Sequence, residues 1–187
     1  MIEKKVLYFE NPGESNTEAC IQQVRHEVEE NGYRYVVVAA NTGKTGVEFA
    51  KALSELETEV YVVKYQLDDD ETAGISDEIR EQLADNGATF FHSPSIDLSL
   101  DGSFGLKLAP MSPSKVVGRT LKRFGEGLKI CCDIVMMATD KGLLTEGVET
   151  IAVAGTKSGA DTVAVIRAAA SLRFIELKVL EILAKPR

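Results

Sequence analysis

The apolar positions of this chain fall into short runs that switch repeatedly between a strand period and a helix period. Val6-Leu7-Tyr8-Phe9 reads as a first strand, closed by the turn residues Asn11-Pro12-Gly13. A helix is expected from Ser15, where Glu18 three positions on completes a capping box. Its buried stripe is Cys20 or Ile21, Val24 and Val28, and Asn31-Gly32 ends it. Tyr35 to Ala39 is an unbroken apolar run, the mark of a strand covered on both faces in a parallel sheet. It passes through Ala40 into Asn41-Thr42-Gly43-Lys44-Thr45-Gly46, after which Phe49, Ala50, Leu53 and Leu56 recur at helical spacing. Val60 to Val63 predicts a third strand, Ser76 caps a short helix carrying Ile79 and Leu83, and Thr89-Phe90-Phe91 predicts a fourth strand.

From Ser93 to Pro113 the pattern dissolves into a long loop, read either as a lid over the Gly43 turn or as a surface excursion. Ser112-Pro113 then opens a single long helix down to Gly142, with Val117, Leu121, Phe124, Leu128, Cys132 and Val135 on its apolar side. Gly125 and Gly127 mark where it bends or where a neighbour packs closely. Glu149 to Ala154 and Thr162 to Ile166 are strands on either side of a second glycine loop, Gly155 to Asp161, and Phe174 to Ala184 fits helix or strand equally. The alternation predicts one α/β domain over residues 1–187, a three-layer α/β/α sandwich on a mainly parallel sheet. In such sheets ligands sit beyond the carboxyl ends of the strands, near the point where strand order reverses. Both glycine loops follow strands.

Composition narrows the function classes. A net charge of −8 disfavours nonspecific nucleic-acid or anionic-membrane binding, and Lys115, Arg119, Lys122 and Arg123 read as a solvated helix face. No apolar stretch reaches the roughly 18–20 residues a membrane helix needs. The chain enters a strand at its start without a signal-peptide core, and three cysteines, two of them adjacent, make no disulfide framework, so a cytoplasmic protein is expected. Asp68-Asp69-Asp70-Glu71 lacks the spacing of a cation loop and reads as solvated, and no metal site is expected.

The chemistry concentrates in the glycine loops. A buried strand feeding a glycine turn and a helix start presents backbone N–H groups to an anion, here with two threonine hydroxyls and the Lys44 ammonium. The loop is not that of a nucleotide hydrolase: the pattern needs glycine five positions before Gly43, and Val38 stands there. The three-glycine dinucleotide pattern is absent as well. A phosphate cradle over Asn41, Thr42, Gly43, Lys44, Thr45 and Gly46 stands against a plainer reading, in which Asn41 or Thr42 caps a helix and Gly43 makes a turn. In the second loop Gly155, Thr156, Gly159 and Ala160 lead to Asp161, which either accepts from a ligand or stabilises the turn. Asn11, Pro12, Gly13 and Asn16 form a third loop on the same expected edge and would wall a pocket. His26 reads as a surface residue, His92 at a strand end is the better candidate for chemistry, and Cys131-Cys132 read as buried and inert.

Several segments together resemble one family. Tyr8-Phe9-Glu10-Asn11-Pro12-Gly13 with Asn16-Thr17-Glu18, Gly127-Leu128-Lys129-Ile130-Cys131 with Met137 to Leu143, Ala154-Gly155-Thr156 with Gly159 to Thr162, and the terminal Ala184-Lys185-Pro186-Arg187 carry the likeness. They resemble the stand-alone archaeal and bacterial proteins similar to the C-terminal α/β domain of pyruvate kinase. The resemblance implies a mixed five-stranded core with one antiparallel edge strand, which favours strand within Leu177 to Ala184. In pyruvate kinase that domain lacks the active site and holds a regulatory sugar-phosphate site, one of whose loops resembles Thr42 to Gly46. Nothing here resembles the catalytic barrel, so kinase activity is not implied. The expectation is a binding protein for a small phosphorylated ligand, a mononucleotide such as FMN or a sugar phosphate. Two alternatives stay open: a flavin-dependent or phosphometabolite enzyme using His92, Asp161 or Lys44 as acid–base group, and a protein-interaction module, with a homo-oligomer compatible with any of the three.

Overall fold

In the computed structural model, residues 1, 3–65, 75–92 and 113–187 are described. The expected lid over 93–112 and the acidic run from Asp68 to Glu71 lie outside them. Seven strands form one sheet: β1 (Leu7–Phe9), β2 (Tyr35–Ala39), β3 (Glu59–Lys64), β4 (Thr89–His92), β5 (Glu149–Ala154), β6 (Thr162–Arg167) and β7 (Lys178–Pro186). Their order is β1-β7-β6-β5-β2-β3-β4. β2 pairs in parallel with both β3 and β5, β3 with β4, and β1 with β7, while β6 runs antiparallel to β5 and β7. The antiparallel strand thus ends the block β4-β3-β2-β5-β6, as the resemblance implies for its five-stranded core. It is not an edge of the whole sheet, because β7 and β1 extend past it.

Helices α1 (Thr17–Asn31), α2 (Lys44–Leu53) and α3 (Asp77–Asp85) cover one face of the sheet; α4 (Pro113–Leu121) and α5 (Glu126–Asp140) lie on the other. Val36 and Val38 of β2 meet Val24, Phe49 and Leu53 on the first side, and Val37 meets the α5 layer on the second. This is the two-sided burial the unbroken Val-Val-Val run requires, each such side chain contributing about 1.5–3 kcal/mol. Twelve of the fifteen residues of α5 are buried, so it is a core helix with little solvent face.

Three local expectations change. The capping box at Ser15 does not form: Glu14–Asn16 is a single 3₁₀ turn and α1 begins at Thr17. The helix expected from 112 to 142 is two helices, broken at Gly125, whose φ of +133° leaves the helical region. α5 then starts against β6, where a Cβ on Gly127 would come within 2.1 Å of Thr162 Oγ1. The ambiguous C-terminal run from Phe174 divides: Ser171–Glu176 is a 3₁₀ helix and strand β7 begins at Lys178, followed by a last residue whose N–H donates to the Phe9 carbonyl of β1.

Candidate functional site

β2 and β5 are neighbours, and the chain leaves β2 toward β3 and β4 before crossing back to β5 on the other side. Strand order reverses between them, and the loops that follow both strands open into one cleft of ≈ 410 Å³. The β2 side supplies Ala39, Ala40, Asn41, Thr42 and Thr45; the β5 side supplies the stretch from Gly155 to Gly159. Tyr65, just past β3, and Ile130 of α5 complete the wall. The volume lies within the roughly 300–1,000 Å³ of small-molecule pockets.

The first loop divides into residues that face the cleft and residues that hold it. Gly43 sits at φ +81°, and its N–H is spent on the Ala40 carbonyl at 3.1 Å. A Cβ there would meet Ile79 at 2.3 Å, so this glycine serves the approach of α3. Gly46 serves the docking of α2 on β3, since its Cβ would come within 2.4 Å of Val62. Lys44 heads α2 with an exposed side chain and does not line the cleft. The first ladder bond of the helix is Val47 N–H to the Gly43 carbonyl, 3.0 Å, so the amides of Lys44, Thr45 and Gly46 stand ahead of the ladder with the positive end of the helix dipole. Asn41 makes no helix cap. Its Oδ1 accepts from Tyr65 N–H at 3.1 Å and ties the loop to the end of β3.

The second loop is held from behind. Asp161 is fully buried; its Oδ2 accepts from Gly13 N–H at 2.9 Å and Thr156 N–H at 3.0 Å, and its Oδ1 from the Thr162 hydroxyl at 2.8 Å. The carboxylate is a clasp between two loops, with none of the cleft as its surroundings. Ala160 N–H donates to Thr17 Oγ1 at 3.0 Å, and Asn16 Nδ2 donates to the Asn11 and Gly13 carbonyls. The loop of Asn11, Pro12, Gly13 and Asn16 therefore buttresses the second glycine loop and does not wall the cleft, and Ala160 lies with it.

A polar cluster that sequence reasoning missed stands behind the cleft wall. The Tyr65 hydroxyl donates to Asp133 Oδ2 at 2.8 Å and accepts from Lys129 Nζ, which also pairs with Asp133. Burial pushes the Tyr65 phenol above its ordinary range, with Asp133 adding to the rise and Lys129 opposing it. Burial works against the Lys129 charge, but Asp133 and Tyr65 outweigh it and hold the ammonium above its usual range. Nζ lies 5.1 Å from the Tyr65 centroid, yet it is hydrogen-bonded to the hydroxyl, which places it at the rim of the ring and not over its face. Lys129 and Asp133 at i, i+4 in an otherwise apolar helix were the one visible signal.

The acid–base candidates are dispersed. His92 is exposed at the end of β4, opposite Lys64 in the pairing register and outside the cleft. His26 is exposed on α1. Cys20, Cys131 and Cys132 are buried free thiols; burial pushes Cys20 and Cys132 up to about 12 and Cys131 well above its ordinary value, so they are inert as nucleophiles. Among the described residues no group of three His, Cys, Asp or Glu is placed to hold a metal ion, and no helix is long and apolar enough to cross a membrane.

No family model matches the chain. Among solved structures it is similar to a pyruvate kinase from Cryptosporidium parvum, at 14% identity and a TM-score of 0.44. The alignment covers 82% of this chain and 23% of that one, so the chain spans less than a quarter of that enzyme's length.

Proposed function

We propose that the cleft between Asn41–Thr45 and Gly155–Gly159 binds a small phosphorylated ligand, with its phosphate against the first turn of α2. The reading is supported above all by the meeting of the two loops where strand order reverses between β2 and β5. The leading amides of α2, the helix dipole and the hydroxyls of Thr42 and Thr45 suit a phosphate. Ala39, Ala40, Ile130 and the Tyr65 side chain offer an apolar surface beside it, and Thr156 offers a hydroxyl on the far wall, where the Ser158 hydroxyl donates to Glu14 Oε2 at 3.3 Å. A mononucleotide such as FMN would use the apolar surface, a sugar phosphate the hydroxyls. No phosphoryl transfer is part of the reading. His92, Asp161 and Lys44 all lie off the cleft, which weakens the alternative of an enzyme that uses them.

Thermal melts of the full chain with FMN and with sugar monophosphates test this. A ligand at a hundred times its Kd adds about 2.7 kcal/mol, which raises the midpoint of a chain this size by about 5–10 °C. A midpoint unmoved by every such ligand, with no heat on titration, would contradict the reading.

A further inference from the structure

We propose that Lys157, and not Lys44, supplies the positive charge of the cleft, and that the site takes a phosphomonoester in preference to a bisphosphate or diphosphate. The inference rests on the reading of the cleft as a phosphate site and names the side chain and ligand class that this site uses.

Three lysines come into question. Lys44 heads α2 with an exposed side chain and does not line the cleft. Lys129 lies behind Tyr65 and its charge is matched by Asp133 on the same helix. Lys157 lines the cleft, and among the described residues it is the one formally charged residue that does. In a chain of net charge −8 a cation among otherwise uncharged lining residues is a local exception to the overall field, with Glu14, which accepts from the Ser158 hydroxyl at 3.3 Å, outside the lining.

The backbone beneath Lys157 is built and not merely turned. A Cβ on Gly155 would strike the Gly159 carbonyl at 2.3 Å, and Gly159, at φ +68°, packs within 2.6 Å of Glu14 Cα by the same measure. Asp161 and Thr17 hold the amides of Thr156 and Ala160, one on each side of Lys157. Lys157 is therefore carried on a fixed base, in the loop that shares the cleft with Asn41–Thr45.

Charge matching selects the ligand class. A phosphomonoester carries about −1.5 to −2 near pH 7. One ammonium and a helix terminus worth about +0.5 come close to balancing it. A second phosphate would bring about as much charge again, with no further cation lining the described cleft.

The test is an NMR titration of the full chain with inorganic phosphate and with inorganic pyrophosphate, comparing wild type, K157A, K157R and K44A. Lys157 is exposed, so K157A is expected to keep the wild-type spectrum and melting midpoint. Phosphate should shift the amides of Thr42, Thr45 and Thr156 to Ser158, with affinity reduced about tenfold or more in K157A, largely kept in K157R and unchanged in K44A. Pyrophosphate should bind no more tightly than phosphate. Equal affinity in K157A and wild type, or a loss confined to K44A, overturns the assignment of Lys157 while the cleft reading stands. Pyrophosphate binding about tenfold tighter than phosphate overturns the ligand class. No shift in wild type with either anion removes the cleft reading, and this proposal with it.

Discussion

Gly46 leaves no room for one more carbon against Val62. A Cβ there would sit 2.4 and 2.8 Å from the two valine methyls, both buried under α2. G46A should cost about 1–3 kcal/mol in urea unfolding. V62A should cost stability alone yet lose less than the sum when combined with G46A, because the truncated side chain makes the space the alanine needs. Strict additivity would contradict this account of why glycine stands there. The thiols make a second prediction at this scale. Burial raises Cys20 and Cys132 from 9.0 to about 12, so between those values the unfolded chain has released protons that the folded chain still holds. Stability then falls as pH rises above 9, by at most about 1.4 kcal/mol per unit for each thiol. The raised Tyr65 phenol and Lys129 ammonium act in the same direction, since both protonated forms are favoured by folding. Melting midpoints measured from pH 8 to 10.5 should decline; a flat profile would contradict the burial of these groups.

At the scale of elements, periodicity found most of the strands and helices and missed what depends on single dihedrals. The spacing Leu121, Phe124, Leu128 continues across residue 125, yet a φ of +133° at Gly125 ends one helix and starts another, and Phe124 is left 54% exposed. Strand β7 reads as ambiguous because its pairing with β6 shifts register at Val163/Ala164 and at Val165/Ile166, which erases a clean two-residue alternation. Asp161 reads from the sequence as a turn residue ahead of a ligand acceptor, and three donors around its fully buried carboxylate hold it in that role. D161N replaces one acceptor oxygen by a donor facing donors, and should cost about 2–4 kcal/mol. Hydrogen exchange at the Gly13 and Thr156 amides should accelerate by more than that of the sheet. Exchange that rises equally everywhere would mean that Asp161 is not the clasp between these loops.

At the scale of the whole molecule, what the sequence made legible was which loops follow strands; that two of them share one cleft required the strand order. Asn41 to Thr45 and Gly155 to Gly159 are more than a hundred residues apart, and only the placement of β5 beside β2 brings them together. The Asn11–Asn16 loop follows a strand too, but β1 lies at the far edge beside β7, which is why it reaches the back of the second loop and not the cleft. Tyr65 could not be found from the chain alone for the same reason: its place in the wall follows from β3 lying next to β2. If the proposed function holds, this reversal point is an anion seat. Crystals of the full chain soaked in tungstate, an electron-dense phosphate mimic, would reveal such a seat. An anomalous peak is expected within hydrogen-bond reach of Thr42, Thr45 and the Gly155–Gly159 loop; peaks confined to other surfaces, with this cleft empty, would rule the anion seat out.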